Sequence, residues 1–259
     1  MNRSLENHNR TVTCSQVELN SLRLHSRDQS DMFLVGRDVG AAHLCHPTSV
    51  FRLPSPTMFL YFDLGNVVAL FDHLKGCRQM AEVAGISPEQ VFAAVFESEL
   101  NRRYELGEVS SREFFDEFCR TTGTHPNFDA FYHAAGDIFE LNRSLVPVIG
   151  ALDDAGHRLG LLSNTCECHW HRLLKSEYGI FTAFSAIALS YEIKAMKPDP
   201  KIYLTAAKLA GVKPSEIFFC DDVMGHVVGA REAGFDAVQY TSTPQLVADL
   251  RRRGVRFNY

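Results

Sequence analysis

The sequence lacks the features that mark membrane-spanning and exported proteins. No apolar run approaches the roughly 18 residues that a transmembrane helix needs. The N-terminus shows no signal-peptide pattern. The seven cysteines are an odd number without regular spacing, which is typical of a reducing compartment rather than of a disulfide framework. We therefore expect a cytoplasmic protein without a membrane partner.

Basic residues are also scarce. Lys and Arg number 26 against 31 Asp and Glu, which gives a formal net charge of −5 and a pI near 6.1. Nucleic-acid-binding domains usually carry a basic surplus, so we expect no nucleic-acid partner. With 259 residues, 46% of them hydrophobic, the chain can form one large core and a small accessory domain.

Residues 1–57 differ from the rest of the chain. They contain no Lys, are rich in Ser, Asn, His and Arg, and show little periodicity. The stretch "PTSVFRLPSPT" is typical of a linker before a first strand. We expect either a disordered tail or a misplaced start, with Met58 as the true first residue. Several acidic residues make a targeting peptide the less favoured alternative.

From residue 58 onward, short apolar segments alternate with helical patterns. Strands are predicted at 58–62, 158–163, 184–190, 217–221 and 236–240. This alternation predicts an α/β fold, a doubly wound parallel sheet with helices on both faces. Ligands of such sheets bind at the carboxyl ends of the strands. Asp63, Ser163 and Asp221 each lie at such an end.

Residues 72–143 interrupt this rhythm. They show no clear strand, and helices are predicted at 87–100, 110–123 and 128–141. We therefore predict a helical insertion after the first strand, at 72–143. The core domain is expected to combine 58–71 with 144–259.

Four short segments carry candidate chemistry. Singly each is weak, since a Ser at a strand end is usually a helix cap. The segments are "YFDLGN" with Asp63, "LLSNT" with Ser163 and Asn164, "MKPDP" with Lys197, and "FFCDDVMGH" with Asp221 and Asp222.

In this order and spacing, the segments resemble the four motifs of the haloacid dehalogenase-like (HAD) superfamily of aspartate-nucleophile hydrolases. The resemblance runs from about 58 to 245 and implies a Rossmann-like core. The insertion resembles a C1-type cap. "FDLGNVV", "LSNT…HW", "MKPDPKIY" and "YELGEVSSREFF" are similar to a subgroup that includes the bacterial α-D-glucose-1-phosphate phosphatase and the phosphatase domain of soluble epoxide hydrolase.

The resemblance implies that Asp63 is a nucleophile that attacks phosphorus and forms an acyl-phosphate. A cation must then separate two anions, and clustered acids suit Mg²⁺. The implied ligands are Asp63, the carbonyl of Gly65 and Asp222. Asp221 is expected to bind the ion through water or to orient Lys197.

The phosphate group is expected to meet three residues. Lys197 offers a compact positive charge. The Ser163 hydroxyl and the backbone N–H of Asn164 would hold phosphoryl oxygens at a helix N-terminus.

Gly65 departs from the pattern of the superfamily, because most of its phosphatases have a general acid–base Asp two residues after the nucleophile. Loss of such a group typically costs ~10²–10⁴-fold in rate. The enzyme could act on easily departing groups, such as the anomeric oxygen of a sugar 1-phosphate. His169, His226 or Glu105 could replace the acid. The protein could also be a weak or inactive enzyme. The glucose-1-phosphate phosphatase also carries Asp-Leu-Gly-Asn, which favours the first two interpretations.

Two further features have less certain roles. The segment "CECHWH" at 166–171 suggests zinc, but residues two apart on a helix point apart, so we do not favour a metal site there. His169 and Trp170 are instead candidate substrate contacts. His226, one helical turn after Asp222, is expected to make an ordinary hydrogen bond rather than to transfer protons.

The predicted tip of the insertion holds the candidates for recognition of the leaving group. They are Arg102, Arg103, Tyr104 and Glu105, close to Gly107.

The leading hypothesis is a Mg²⁺-dependent phosphatase, a monomer or homodimer, that acts on a small phosphorylated metabolite such as a sugar phosphate. A 2-haloacid dehalogenase is one alternative, which the paired acids Asp221 and Asp222 argue against. A ligand-binding protein that has lost turnover is the other, supported only by Gly65. The physiological substrate and the oligomeric state stay open.

Overall fold

The computed structural model describes residues 58–176 and 178–259, so the tail or misplaced start predicted at 1–57 lies outside the described residues. The strands are β1 Phe59–Phe62, β2 Ala69–Phe71, β3 Phe139–Leu141, β4 Leu159–Ser163, β5 Phe184–Leu189, β6 Ile217–Asp221 and β7 Asp236–Gln239. The α-helices are α1 His73–Ala84, α2 Pro88–Phe92, α3 Leu100–Glu105, α4 Ser111–Thr122, α5 Phe128–Gly136, α6 Val146–Asp154, α7 Glu167–Leu174, α8 Ser190–Ile193, α9 Pro200–Ala210, α10 Met224–Glu232 and α11 Thr243–Arg252.

Five parallel strands form the central sheet in the order β5-β4-β1-β6-β7. Strand β1 lies in the middle, paired with β4 on one side and β6 on the other. Its four residues are all buried because both faces of the sheet are covered. Phe59 and Tyr61 pack into one hydrophobic layer, and Leu60 and Phe62 pack into the opposite one. The predicted doubly wound α/β fold is confirmed.

The helical insertion lies between β2 and β3, which form a small antiparallel ribbon of their own. The prediction that 72–143 contains no strand is therefore wrong, as is the predicted helix through residue 141. Helix α5 ends at Gly136, where a Cβ would lie only 2.8 Å from the carbonyl oxygen of Cys168. The glycine lets α5 approach the start of α7 closely, and the chain then extends into β3.

The helix predicted at 87–100 is also interrupted. Helix α2 continues into a π-helical turn, Ala93–Glu97, and Glu99 then adopts a left-handed backbone conformation with φ 63° before α3. Helix α4 is capped as predicted by Ser110, whose side chain forms a reciprocal capping box with Glu113.

The insertion has its own hydrophobic cluster, which includes Phe114, Phe118 and Phe131. Cys166 and Cys168, which precede and begin α7, belong to the same cluster. The start of α7 is therefore the point at which the insertion and the sheet region share buried side chains. Among the residues that the structure describes, no helix combines the length and apolarity needed to span a bilayer.

Candidate active site

The carboxyl ends of β1 and β6 bring two acids to one buried lysine. The Nζ atom of Lys197 lies 2.8 Å from Oδ1 of Asp63 and 2.5 Å from Oδ2 of Asp221. It also donates to the carbonyl oxygen of Leu162 at 3.1 Å. All three charged side chains are buried. The predicted convergence of Asp63, Asp221 and Lys197 is present in the structure.

Burial and charge pairing set the protonation of this group. Burial raises the pKa of Asp63 to about 7, although Lys197 opposes the rise. Burial also acts to raise the pKa of Asp221, but Lys197 and His226 lower it to about 2. The pKa of Lys197, which burial alone would lower, is raised by the two carboxylates. At neutral pH Lys197 is therefore cationic and Asp221 anionic, and the charge of Asp63 depends on nearby cations.

One oxygen of Asp63 is held in place and the other is not. Oδ1 accepts a hydrogen bond from the backbone N–H of Leu64 at 2.7 Å and pairs with Lys197. Oδ2 accepts no hydrogen bond within the described part of the chain. A carboxylate fixed through one oxygen can present the other to an electrophile or to a cation.

The surroundings of Asp63 differ in one respect from the predicted metal site. The side chains that could offer ligand atoms within 4.8 Å of one another are Asp63, Asp221 and His226. Asp222 is not in this group. Its Oδ2 accepts a hydrogen bond from Nδ2 of Asn66 at 3.1 Å. The expected hydrogen bond of His226 is present, but its partner is Asp221, at 3.0 Å, rather than Asp222.

The donor set nevertheless suits a hard cation. It contains two buried carboxylates, and further oxygen atoms of Gly65 and Asp222 follow directly in the chain. Oxygen donors of this kind fit Mg²⁺, which prefers carboxylates and water. The direct ligation of the ion by Gly65 and Asp222 stays a prediction.

Asn164 has a structural role that the sequence did not reveal. Its Oδ1 accepts from the backbone N–H of Lys197 at 2.8 Å, and its Nδ2 donates to the carbonyl oxygen of Lys197 at 3.0 Å. The amide therefore fixes the backbone of the lysine from both sides. Ser163, which precedes it, is buried at the end of β4.

An aromatic ring occupies the space beside Gly65. A Cβ at this position would lie 2.8 Å from Cε1 of Phe71 in β2, well inside the roughly 3.5–4.0 Å of a normal carbon contact. An Asp at position 65 would require this ring to move. The space that a side chain at position 65 would need is therefore occupied by the Phe71 ring.

A cavity of about 50 Å³ brings the predicted substrate contacts together. It is lined by Leu64, Gly65, Phe71, His73, Glu105, Ile138, Phe139, Ser163, Asn164, Thr165 and His169. Glu105 and His169 thus lie beside Ser163 and Asn164, as predicted. His73 was missed, since a lone His at a helix start carries no sequence signal.

Three other residues that were predicted to contact the substrate lie outside this cavity. The prediction that Trp170 touches the substrate is wrong, since its ring is buried in the main core against Phe181, with ring centroids 5.6 Å apart. Arg103 pairs with Glu117 at 2.9 Å. Arg102 lies within 4.0 Å of Glu99 at the exposed surface. These packing and pairing partners explain why the three side chains do not line the cavity.

The "CECHWH" segment is more compact than its spacing suggested. The Sγ atoms of Cys166 and Cys168 are 3.5 Å apart, and both lie within 4.8 Å of a ring nitrogen of His169. Cys166 has an extended backbone before α7, so the expectation that these side chains point apart is wrong. Burial raises the pKa of the Cys166 thiol well above its usual range and lowers that of His169 to about 3.

Comparison with known proteins gives a match to a family model. A model described as haloacid dehalogenase-like hydrolase matches residues 62–234. The glyceraldehyde 3-phosphate phosphatase of Methanopyrus kandleri is 33% identical over 97 residues, 37% of this chain and 41% of that protein. The phosphoglycolate phosphatase of Salmonella choleraesuis is 30% identical over 118 residues, 44% of this chain and 45% of that protein.

Solved structures share the fold. The HAD family enzyme BT-2542 of Bacteroides thetaiotaomicron, in complex with magnesium and inorganic phosphate, superposes with a TM-score of 0.63 at 22% identity. The match covers 72% of this chain and 95% of that one. The chain spans less than half the length of these two curated relatives.

Proposed function

The chain belongs to the haloacid dehalogenase-like hydrolase family, and we propose that it is a Mg²⁺-dependent phosphatase that hydrolyses a small phosphomonoester through an aspartyl-phosphate intermediate. The observation that carries the proposal is the free Oδ2 of Asp63 beside the buried ammonium of Lys197. A nucleophile, a fixed cation and a nearby loop of polar groups are the parts that phosphoryl transfer needs.

The residues have separate roles in this proposal. Oδ2 of Asp63 attacks phosphorus, and the bond from phosphorus to the leaving oxygen breaks. Lys197 stays protonated and compensates the negative charge of the transferred group, while Asp221 and Asn164 keep the lysine in position. The Ser163 hydroxyl would hold a phosphoryl oxygen.

Magnesium would be held by Asp63, the Gly65 carbonyl and Asp222, and Asp221, whose oxygens pair with Lys197 and His226, would bind it through water. When bound, the ion neutralises charge between the carboxylate and the phosphate. The magnesium and phosphate present in the structure of BT-2542 support this assignment.

The insertion at 72–143 is proposed to act as a cap over the site. It supplies His73 and Glu105 to the cavity that also contains Ser163. The cavity is small, which favours a compact substrate. The relatives named for glyceraldehyde 3-phosphate and phosphoglycolate support a small phosphorylated metabolite, and a sugar phosphate remains among the candidates. A cytoplasmic location and a monomeric or homodimeric state stay predictions.

Phosphate release from a panel of phosphomonoesters tests the proposal. The panel includes hexose 1- and 6-phosphates, glyceraldehyde 3-phosphate and phosphoglycolate, each with Mg²⁺ and with a chelator. We expect metal-dependent release that Asp63→Asn abolishes. Chloride release from 2-chloropropionate without metal would support the dehalogenase alternative. A folded protein that releases neither product would support a ligand-binding role.

A further inference from the structure

The cavity contains a carboxyl group that the proposed mechanism has not used. Glu105 is the last residue of α3, and its side chain is half-buried in the cavity with Gly65 and Ser163. Its Oε1 accepts a hydrogen bond from Nδ2 of Asn101 at 3.1 Å. Its Oε2 makes no hydrogen bond with the described residues. The carboxyl is therefore oriented through Oε1, and Oε2 is available to donate or accept a proton.

The backbone of Glu105 is tied to the loop that holds the phosphate in our proposal. The fully buried Ser190 places its Oγ 2.6 Å from the carbonyl oxygen of Glu105. The same Oγ accepts from the backbone N–H of Thr165 at 2.9 Å. Thr165 is two residues after Ser163, so one side chain fixes Glu105 relative to the phosphate loop.

We propose that Glu105 is the general acid and base of the reaction and replaces the carboxyl that is absent at Gly65. The inference rests on the proposed phosphatase function. In the first step Asp63 forms a bond to phosphorus, the bond to the leaving oxygen breaks, and that oxygen takes the proton of Glu105. In the second step the Glu105 carboxylate takes a proton from water, the water oxygen binds phosphorus, and the bond to Asp63 breaks. Inorganic phosphate leaves, and Glu105 is protonated again.

The other titratable groups around the cavity are less suited to this role. Burial lowers the pKa of His169 to about 3 and also lowers that of His73, so both rings are neutral and lack an acidic proton at neutral pH. Lys197 is committed to two carboxylates, and the pKa of Cys166 lies far above neutral because of burial. Burial raises the pKa of Glu105, with the Asn101 hydrogen bond and Lys197 opposing the rise, and so makes its carboxyl a better proton acceptor than an exposed glutamate.

His226, the other predicted substitute, bonds to Asp221 and does not line the cavity. Its ring nitrogen Nδ1 is engaged by Asp221, the carboxylate that also holds Lys197. The cavity lining thus separates Glu105 from His226, and the lowered pKa of the His169 ring separates it from His169.

The test uses two substrates that differ in their need for a proton. p-Nitrophenolate leaves without protonation, whereas the alkoxide of glycerol 3-phosphate or a hexose 6-phosphate does not. With Mg²⁺ present, we expect Glu105→Gln to lower the rate on the alkyl ester by ~10²–10⁴-fold. With p-nitrophenyl phosphate it should give a rapid burst of one p-nitrophenolate per site, then slow turnover with phosphorylated Asp63 accumulating. Glu108→Gln, an exposed neighbour, is the matched control and should behave as wild type.

Two measurements guard against a merely structural effect. Thermal unfolding should show that Glu105→Gln is folded, and Glu105→Asp, which keeps a carboxyl, should restore part of the alkyl-ester rate. Equal losses on both substrates without a burst, or a wild-type rate on the alkyl ester, would overturn the inference. If the wild type itself releases phosphate from neither ester, the proposed function fails and this inference fails with it.

Discussion

The Gly65→Ala substitution tests whether the Phe71 ring fills the space that a side chain at position 65 would need. In Gly65→Ala the new Cβ would lie 2.8 Å from the ring, about 1 Å too close for two carbon atoms. Overpacking of this kind costs ~1–3 kcal/mol. The backbone of Gly65 does not need a glycine, since its φ is not positive. The substitution also reduces the conformational entropy of the unfolded chain, which stabilises the folded protein by ~0.4–1 kcal/mol. We expect a net loss of about 1–2 kcal/mol.

Truncation of the ring should reverse the sign of this effect. In a Phe71→Leu background the methyl group meets no ring, so Gly65→Ala should stabilise the protein by ~0.4–1 kcal/mol. The coupling energy between the two sites is then about 2 kcal/mol, within the range found for residues in contact. Denaturant unfolding of the wild type, both single variants and the double variant measures it.

The control for this cycle is Gly150→Ala in α6. Its Cβ would meet no atom within 4 Å, and the helix interior favours Ala by ~0.5–1 kcal/mol. It should stabilise the protein by the same amount in both backgrounds. If Gly65→Ala costs the same with and without the Phe71 ring, the ring does not fill the space at position 65 and the packing argument is refuted.

The remaining predictions concern charge and positioning. Because the folded pKa of Asp63 is raised to about 7 from near 4 unfolded, the metal-free protein binds an extra proton when folded and loses stability as pH rises from about 4 to 7. Asp63→Asn should flatten this dependence, which urea unfolding at several pH values would show. Asn164→Ala removes both hydrogen bonds to the Lys197 backbone and should lower kcat at least tenfold with a smaller effect on stability, as paired kinetic and thermal measurements would reveal. Asp222→Asn should raise the Mg²⁺ concentration needed for half-maximal activity more than His226→Asn, because only the acid is a predicted ligand; the reverse order in a metal titration would contradict the predicted ligand set.

The sheet could be predicted because its strands are buried on both faces. Consecutive apolar residues such as Phe59–Phe62 are incompatible with a helix that has one exposed side, and a motif residue such as Asp63 marks the point where the strand ends. Strands β2 and β3 could not be predicted in this way. Each has three residues and partly exposed side chains, which is too short for an alternating pattern to be distinguished from a helix end.

In the candidate site, too, residues in local sequence motifs could be predicted, and residues placed by tertiary contacts could not. Asp63, Ser163 and Asp221 are carried by local motifs at strand ends, so their positions at one edge of the sheet follow once the sheet is known, whereas Lys197 lies in the segment between α8 and α9. The roles of Phe71 and His73 depend on how β2 folds back over the turn after β1, which is a tertiary contact without a local signature. Asp222 and His226 show a third case. Both were noticed, but sequence spacing does not encode that His226 bonds to Asp221 while Asp222 accepts a hydrogen bond from Asn66.

The location of the proposed proton donor has a consequence for the whole reaction. An acid at position 65 would belong to the same loop as the nucleophile and would be in place whatever the insertion did. Glu105 belongs to α3 of the insertion, and the Ser190 contact shows it in place when the insertion lies against the phosphate loop. A mechanism that uses Glu105 therefore requires this closed arrangement for proton transfer as well as for recognition of the leaving group. Water that reaches an open site would meet an aspartyl-phosphate without its base, so hydrolysis of the intermediate would also depend on closure.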